Sequence, residues 1–159
     1  MARAMTYELL RFLHVVGACL LLGTGAGIAF FMLVSNRSQN PALIAHTCGI
    51  VVLADTVFTA TAAILQPITG TLLALEVGWP LLEGWLLASL CLYVLVGVFW
   101  LPVVWTQIQL HRLAIAARDA EAPLPSRYHR LFRIWFYCGF PAFFAVLAIV
   151  WLMLTKPSF

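Results

Sequence analysis

The chain has 159 residues, of which 64% are hydrophobic and only 9% charged, with a net charge of +3. A water-soluble domain carries about 25% charged residues, so this composition excludes that class and leaves the membrane. The charge is small and no Lys/Arg run is interleaved with aromatics, which excludes nucleic acid as an expected partner.

The first predicted element covers 7–34. From Phe12 to Val34 no residue has a fixed charge, and at about 1.5 Å per residue this run outlasts the roughly 30 Å hydrocarbon layer. Arg3 and Arg11 ahead of it imitate a signal peptide, but the apolar part far exceeds the roughly 7 to 15 residues of a signal core, so it is read as an uncleaved span. His14 sits one to two turns inside, where an ionisable group is costly and marks a candidate functional position. Ala18 and Gly25 share its face. Cys19, Gly23 and Gly27 form a second face of small residues, a packing seam for a neighbouring helix. Asn40-Pro41 then supplies a helix N-cap and first position.

The second element is predicted over 42–75, interrupted by Pro67, which removes a backbone donor and clashes at Ala63. Asp55, Thr59, Ala62 or Ala63, and Gln66 recur at helical spacing as a polar stripe, which must face the bundle rather than lipid. After the Gly78-Trp79-Pro80 turn, Pro80 is placed to open the third element, 81–110, which contains Pro102. Arg112 to Pro125 is read as a polar loop. Ser126 is read as the cap of the fourth element, 126–154, which contains Pro141.

The expected fold is therefore all-α: a polytopic membrane protein forming one domain over 1–159, an antiparallel bundle of four transmembrane helices with proline kinks. Arg3, Arg11 and Lys156 lie on the side of the termini, against Arg37, Arg112, Arg118, Arg127, Arg130 and Arg133 on the other. The more basic loops stay in the cytoplasm, so both termini are expected outside. No internal repeat of fixed period is visible. Cys19, Cys48, Cys91 and Cys138 fall one per apolar run, which suggests small buried hydrophobes rather than disulfides or a metal site. Trp79, Trp85, Trp105 and Trp151 read as belt or lipid-facing residues. The methionines are too scattered for metal transport.

Aligning the helices by depth brings His14 level with Gln66, Gly70 and the region of Ala88 to Cys91. His46, His111 and His129 form a second layer with Arg130 and Arg133 near, and Asp55 lies between. A haem or other tetrapyrrole wants an axial nitrogen, small residues at the ring and cations near its propionates. His14 with Ala18, Gly25 and Gln66 meets part of that description, with no second histidine at its level. The inner histidines pair with each other or simply meet water. The plainer reading of His14 is a neutral imidazole bonded to Gln66 or to a carbonyl freed by Pro67. Asp55 reads either as an interhelical hydrogen bond to a threonine or as a proton relay. No metal site is expected.

The run Tyr7 to Ala18, the Gly-Trp-Pro turn, Pro123 to Tyr128, and Leu154-Thr155-Lys156-Pro157 together resemble domain-of-unknown-function family 2269, over nearly the whole chain. That resemblance implies a four-helix bacterial inner-membrane protein, with both termini then periplasmic, and implies no activity. A looser similarity runs to the four-helix membrane protoporphyrinogen oxidases that bind haem b. It would make His14 a haem ligand and Lys156 a functional cation, but that family's polar pattern in the second and third helices has no counterpart here. The leading expectation is a tetrapyrrole-binding membrane protein serving electron transfer or porphyrin oxidation. Its rivals are a non-catalytic structural or accessory protein and a small proton-coupled transporter using Asp55 and Gln66. The lipid bilayer is the expected surrounding; homo-oligomerisation and enzymatic activity stay open.

Overall fold

The computed structural model describes residues 2–158, with side chains from residue 5 onward; the Arg3 side chain used in the orientation count is outside the described residues. Four helices are long and apolar enough to cross a membrane. We label them α1 (Ala2–Arg37), α2 (Pro41–Val77), α3 (Gly84–Asp119) and α4 (Ser126–Thr155). Their outward residues, such as Phe12, Phe30, Val94, Trp105 and Trp151, are exposed, as lipid-facing side chains must be once the backbone is satisfied within each helix.

Short connections make successive helices antiparallel. Each packs on the next, α3 against α4 most extensively, while α1 and α4 touch only briefly. Asn40 caps α2 as expected, its Oδ1 accepting from Ala42 N at 2.9 Å and Leu43 N at 3.2 Å, with Pro41 at the first position. Gly78, at φ 83°, ends α2 in the left-handed conformation that glycine tolerates best.

Three boundary expectations are corrected. The third helix starts at Gly84 instead of opening on Pro80, because residues 79–83 complete the turn. It also runs to Asp119, through the stretch expected to be loop, since Leu113 to Ala117 are strong helix formers and Ala114 and Ala117 are buried. Ser126 is already helical; Pro125 holds the cap position and no side chain caps the helix.

The two halves of the bundle are built differently. In the half nearer the short loops after Arg37 and Asp119, all four helices contribute to one core, including Met32, Ile44, Leu110, Tyr128 and Trp135. The Tyr128 hydroxyl donates to Asn36 Oδ1 at 3.2 Å, which fixes α4 to the end of α1. In the half nearer the termini the corresponding cluster is only Ala74, Trp85 and Leu86, flanked by Trp79 and Met153. Trp85 is thus core, not belt: at 5% exposure it packs edge-on to Trp79.

The small-residue seam is corrected as well. A Cβ at Gly23 or Gly27 would meet nothing within 4 Å among the described residues, so at these two positions no neighbouring helix packs closely. Among the cysteines only Cys48 is buried; Cys19 and Cys91 are exposed, and all four are free thiols.

Candidate functional site

In the termini half, between the two clusters, lies a cavity of about 310 Å³ walled by all four helices. His14, Ala18, Gln66, Gly70, Ser89 and Tyr93 are among its lining residues, and most of the rest are aliphatic. It persists because α1 and α4 barely meet, and because the polar groups around it hold the helices to fixed partners.

Those partners can be built up one bond at a time. Pro67 has no N–H to give the carbonyl of Ala63, four residues back. Tyr93 of α3 satisfies that orphan with its hydroxyl. Gln66, one residue before the proline, reaches the other way: its Nε2 donates to the His14 carbonyl at 2.8 Å. It can do so only because Gly17 faces it, where a Cβ would stand 2.6 Å from that nitrogen. Gly70 does the same for the imidazole, whose Cε1 would be 3.0 Å from an added Cβ.

The ring itself is set by Thr69. His14 Nδ1 lies 2.9 Å from Thr69 Oγ1, and that hydroxyl donates to Leu65 O at 2.8 Å. A hydroxyl has one proton. With that proton given to the carbonyl, the threonine would accept from His14 Nδ1, and among the described residues no hydrogen bond reaches Nε2. The expected partner of the ring was Gln66 or a freed carbonyl; the ring meets the Gln66 backbone carbonyl and also Thr69, one helical turn on along the same stripe. A ring nitrogen fixed as donor on one side and free on the other is the arrangement that histidine ligands adopt.

The remaining sequence candidates separate by depth. Gly25 does not line this cavity, and nothing lies within 4 Å of its Cβ position. Lys156 stands at the termini end, its Nζ 5.9 Å from the Trp79 ring and 5.9 Å from the Trp85 ring. Its neighbours on α4, Met153 and Leu154, line the cavity. His46 and His111 come together in a separate pocket in the loop half, with Gly49 and Arg118, whereas His129 instead packs edge-on to Tyr128. Asp55 is buried at 4% exposure in a π-helical turn, Asp55–Thr59, at the middle of α2. Among the described residues no three His, Cys, Asp or Glu side chains cluster to hold a metal ion.

Thr69, Gly17 and Tyr93 were not singled out from the sequence. The signal was present for the first two: Thr69 continues the spacing of Asp55, Thr59 and Gln66, and Gly17 lies three residues from His14 on one face. Tyr93 had none, since its role depends on which helix lies beside Pro67.

A family model described as predicted integral membrane protein (DUF2269) matches residues 8–157. No curated protein and no solved structure matches the chain. The looser similarity to haem-binding protoporphyrinogen oxidases is therefore unsupported.

Proposed function

The chain belongs to the family of predicted integral membrane proteins DUF2269, and from that premise we propose that it holds a flat, largely apolar molecule in the termini-half cavity, with haem or another tetrapyrrole as the occupant and His14 as its axial ligand. The observation that carries this is the state of the imidazole. Nδ1 meets Thr69, Nε2 has no hydrogen bond among the described residues, and the ring lies in the wall of a cavity whose remaining lining is mostly aliphatic. The volume is at the low end of the roughly 300 to 1,000 Å³ of small-molecule pockets, and the brief α1–α4 contact gives the gap through which a bilayer-dissolved ligand enters.

The residues present fit one axial ligand and no more. Among the described residues no second histidine lines the cavity, and neither does any lysine or arginine. Lys156, two residues beyond Leu154, is the cation in reach of an acidic substituent at the rim. A bound tetrapyrrole would supply one-electron chemistry there. The chain would contribute the imidazole, its orientation through Thr69, and a dry wall. In this reading the protein serves electron transfer or porphyrin oxidation in the bacterial inner membrane, with both termini periplasmic. Reporter fusions at each end test that orientation.

Protein purified in mild detergent from haem-replete cells is expected to show a Soret band that His14→Ala abolishes and Thr69→Val shifts. A colourless preparation that also takes up no added haem overturns the proposal. A second reading is favoured by the Gln66–His14 and Tyr93–Ala63 bonds, which join helices regardless of any occupant. A purely structural or accessory protein would lose melting temperature in His14→Ala with no spectrum to change.

A further inference from the structure

Asp55 is a carboxyl buried in mid-bundle with no ion pair among the described residues. Its two oxygens face two neutral donors from α3. Trp100 Nε1 donates to Oδ1 at 3.4 Å, and the Gln107 amide nitrogen donates to Oδ2 at 3.0 Å while its oxygen accepts from Trp135 Nε1 of α4 at 3.3 Å. One turn along α2, Thr59 is 7% exposed, and its buried hydroxyl stands beside the Asp55 carboxyl. The backbone between them is π-helical, a distortion that costs regular hydrogen bonding and recurs at functional positions.

We propose that Asp55 and Thr59 form a proton-binding site at the centre of the membrane, loaded from the pocket in the loop half. In the carboxylate form both oxygens are held by the N–H groups of Trp100 and Gln107. When a proton from hydronium adds to one oxygen, releasing water, the new O–H donates to the neighbouring Thr59 oxygen. A metal cation fits less well, because the N–H groups aimed at the carboxylate would repel it.

No neighbour interferes with this assignment. The contacts of Met32 with Cys48 and of His14 with Gln66 set the antiparallel register of α1 and α2, which brings Asp55 level with Gly23 to Gly27, a stretch without titratable groups. On α3 the nearest titratable residues are Tyr93, bonded to Ala63, and His111. On α4 they are Arg133 and Tyr137, which are exposed, and Cys138, which is half-buried. On α2 itself it is Cys48.

The route of loading follows from the second pocket. It measures about 340 Å³ and is lined by His46, Gly49, Leu53 and His111. Leu53 is two residues from Asp55, and His111 is one helical turn from Gln107. His111 and Gln107, four apart on one face of α3, connect the pocket to the group that holds the carboxyl. This proposal is independent of what the other cavity holds.

The test is a pH titration of the full chain in lipid nanodiscs, followed by infrared difference spectroscopy. A carboxylic-acid C=O band is expected to appear and disappear as a one-proton step with changing pH. Asp55→Asn should lose it, Trp100→Phe should keep it, and Thr59→Val should move its frequency. Should Asp55→Asn fail to fold, the Thr59→Val shift still identifies the band. Gly49→Leu, which fills the pocket, is expected to slow the response to a pH jump several-fold. Absence of any band sensitive to Thr59→Val and Asp55→Asn overturns the site, as does a step that follows sodium or potassium concentration instead of pH. An unchanged pH-jump rate in Gly49→Leu overturns the loading route.

Discussion

The loop half and the termini half of this bundle use the same four helices to opposite ends. In the loop half Ile44, Leu110 and Tyr128 are fully buried and fill the space between helices. In the termini half Gly70, Ala18 and a wall of aliphatic side chains surround a void, and helix spacing is set by the polar bonds of His14, Gln66, Thr69 and Tyr93. Protein interiors are normally packed as densely as organic crystals. In lipid, moreover, helix association depends on packing and hydrogen bonds because the tails are as apolar as the side chains. A bundle selected only to hold together would gain by filling the second half as it fills the first. The difference shows that the void is kept open by specific contacts, with its one aromatic nitrogen pointed by a neighbouring hydroxyl.

The comparison is broken most severely in the loop half. Leu110→Ala, at 0% exposure, is expected to cost about 2 to 5 kcal/mol, read as a lowered midpoint in detergent-induced unfolding. Leu90→Ala on the cavity wall should stay within about 0.5 kcal/mol, because the wall already faces space. An equal loss at both positions would mean that the cavity is filled by protein in the membrane.

Gly17→Ala comes next. The added carbon displaces the Gln66 amide from the His14 carbonyl. Since the amide is the flexible end of its side chain, the loss is that of one interhelical hydrogen bond, about 0.6 to 1.7 kcal/mol. Gln66→Leu should match it, and the double variant should be no worse than either single one, which a double-mutant cycle reads directly.

Gly70→Ala sharpens the contrast in another way. Its Cβ presses on the imidazole edge, which Thr69 holds, so occupant binding is expected to fall more than stability does. Titration with a soluble haem analogue beside a thermal melt separates the two. The smallest effect belongs to Gly23→Ala and Gly27→Ala, where nothing lies within 4 Å. Each should change monomer stability by less than about 1 kcal/mol, the propensity difference alone.

Much of this was legible beforehand because it follows from composition and period. Uncharged runs longer than a bilayer give four crossings, Asn40-Pro41 gives a helix start, and the spacing of Asp55, Thr59 and Gln66 gives a buried stripe. The errors share a cause. Trp85 is assigned to the interface by its type, but its place beside Trp79 and Ala74 buries it. The Cys19, Gly23 and Gly27 seam has the right residues for packing, yet among the described residues nothing lies within 4 Å of a Cβ at Gly23 or Gly27.

The sequence by itself determined which segments cross the membrane, which side chains are too costly to show to lipid, and that His14 must face inward. Tertiary structure alone decided that His14 meets Thr69, that Tyr93 takes the carbonyl freed by Pro67, and that α1 and α4 stand apart to leave a cavity. The reason is physical. Transfer of a residue out of water depends on that residue, so it can be read locally. The rotation and axial offset of one helix against another are summed over many weak contacts, and no single stretch of sequence contains that sum.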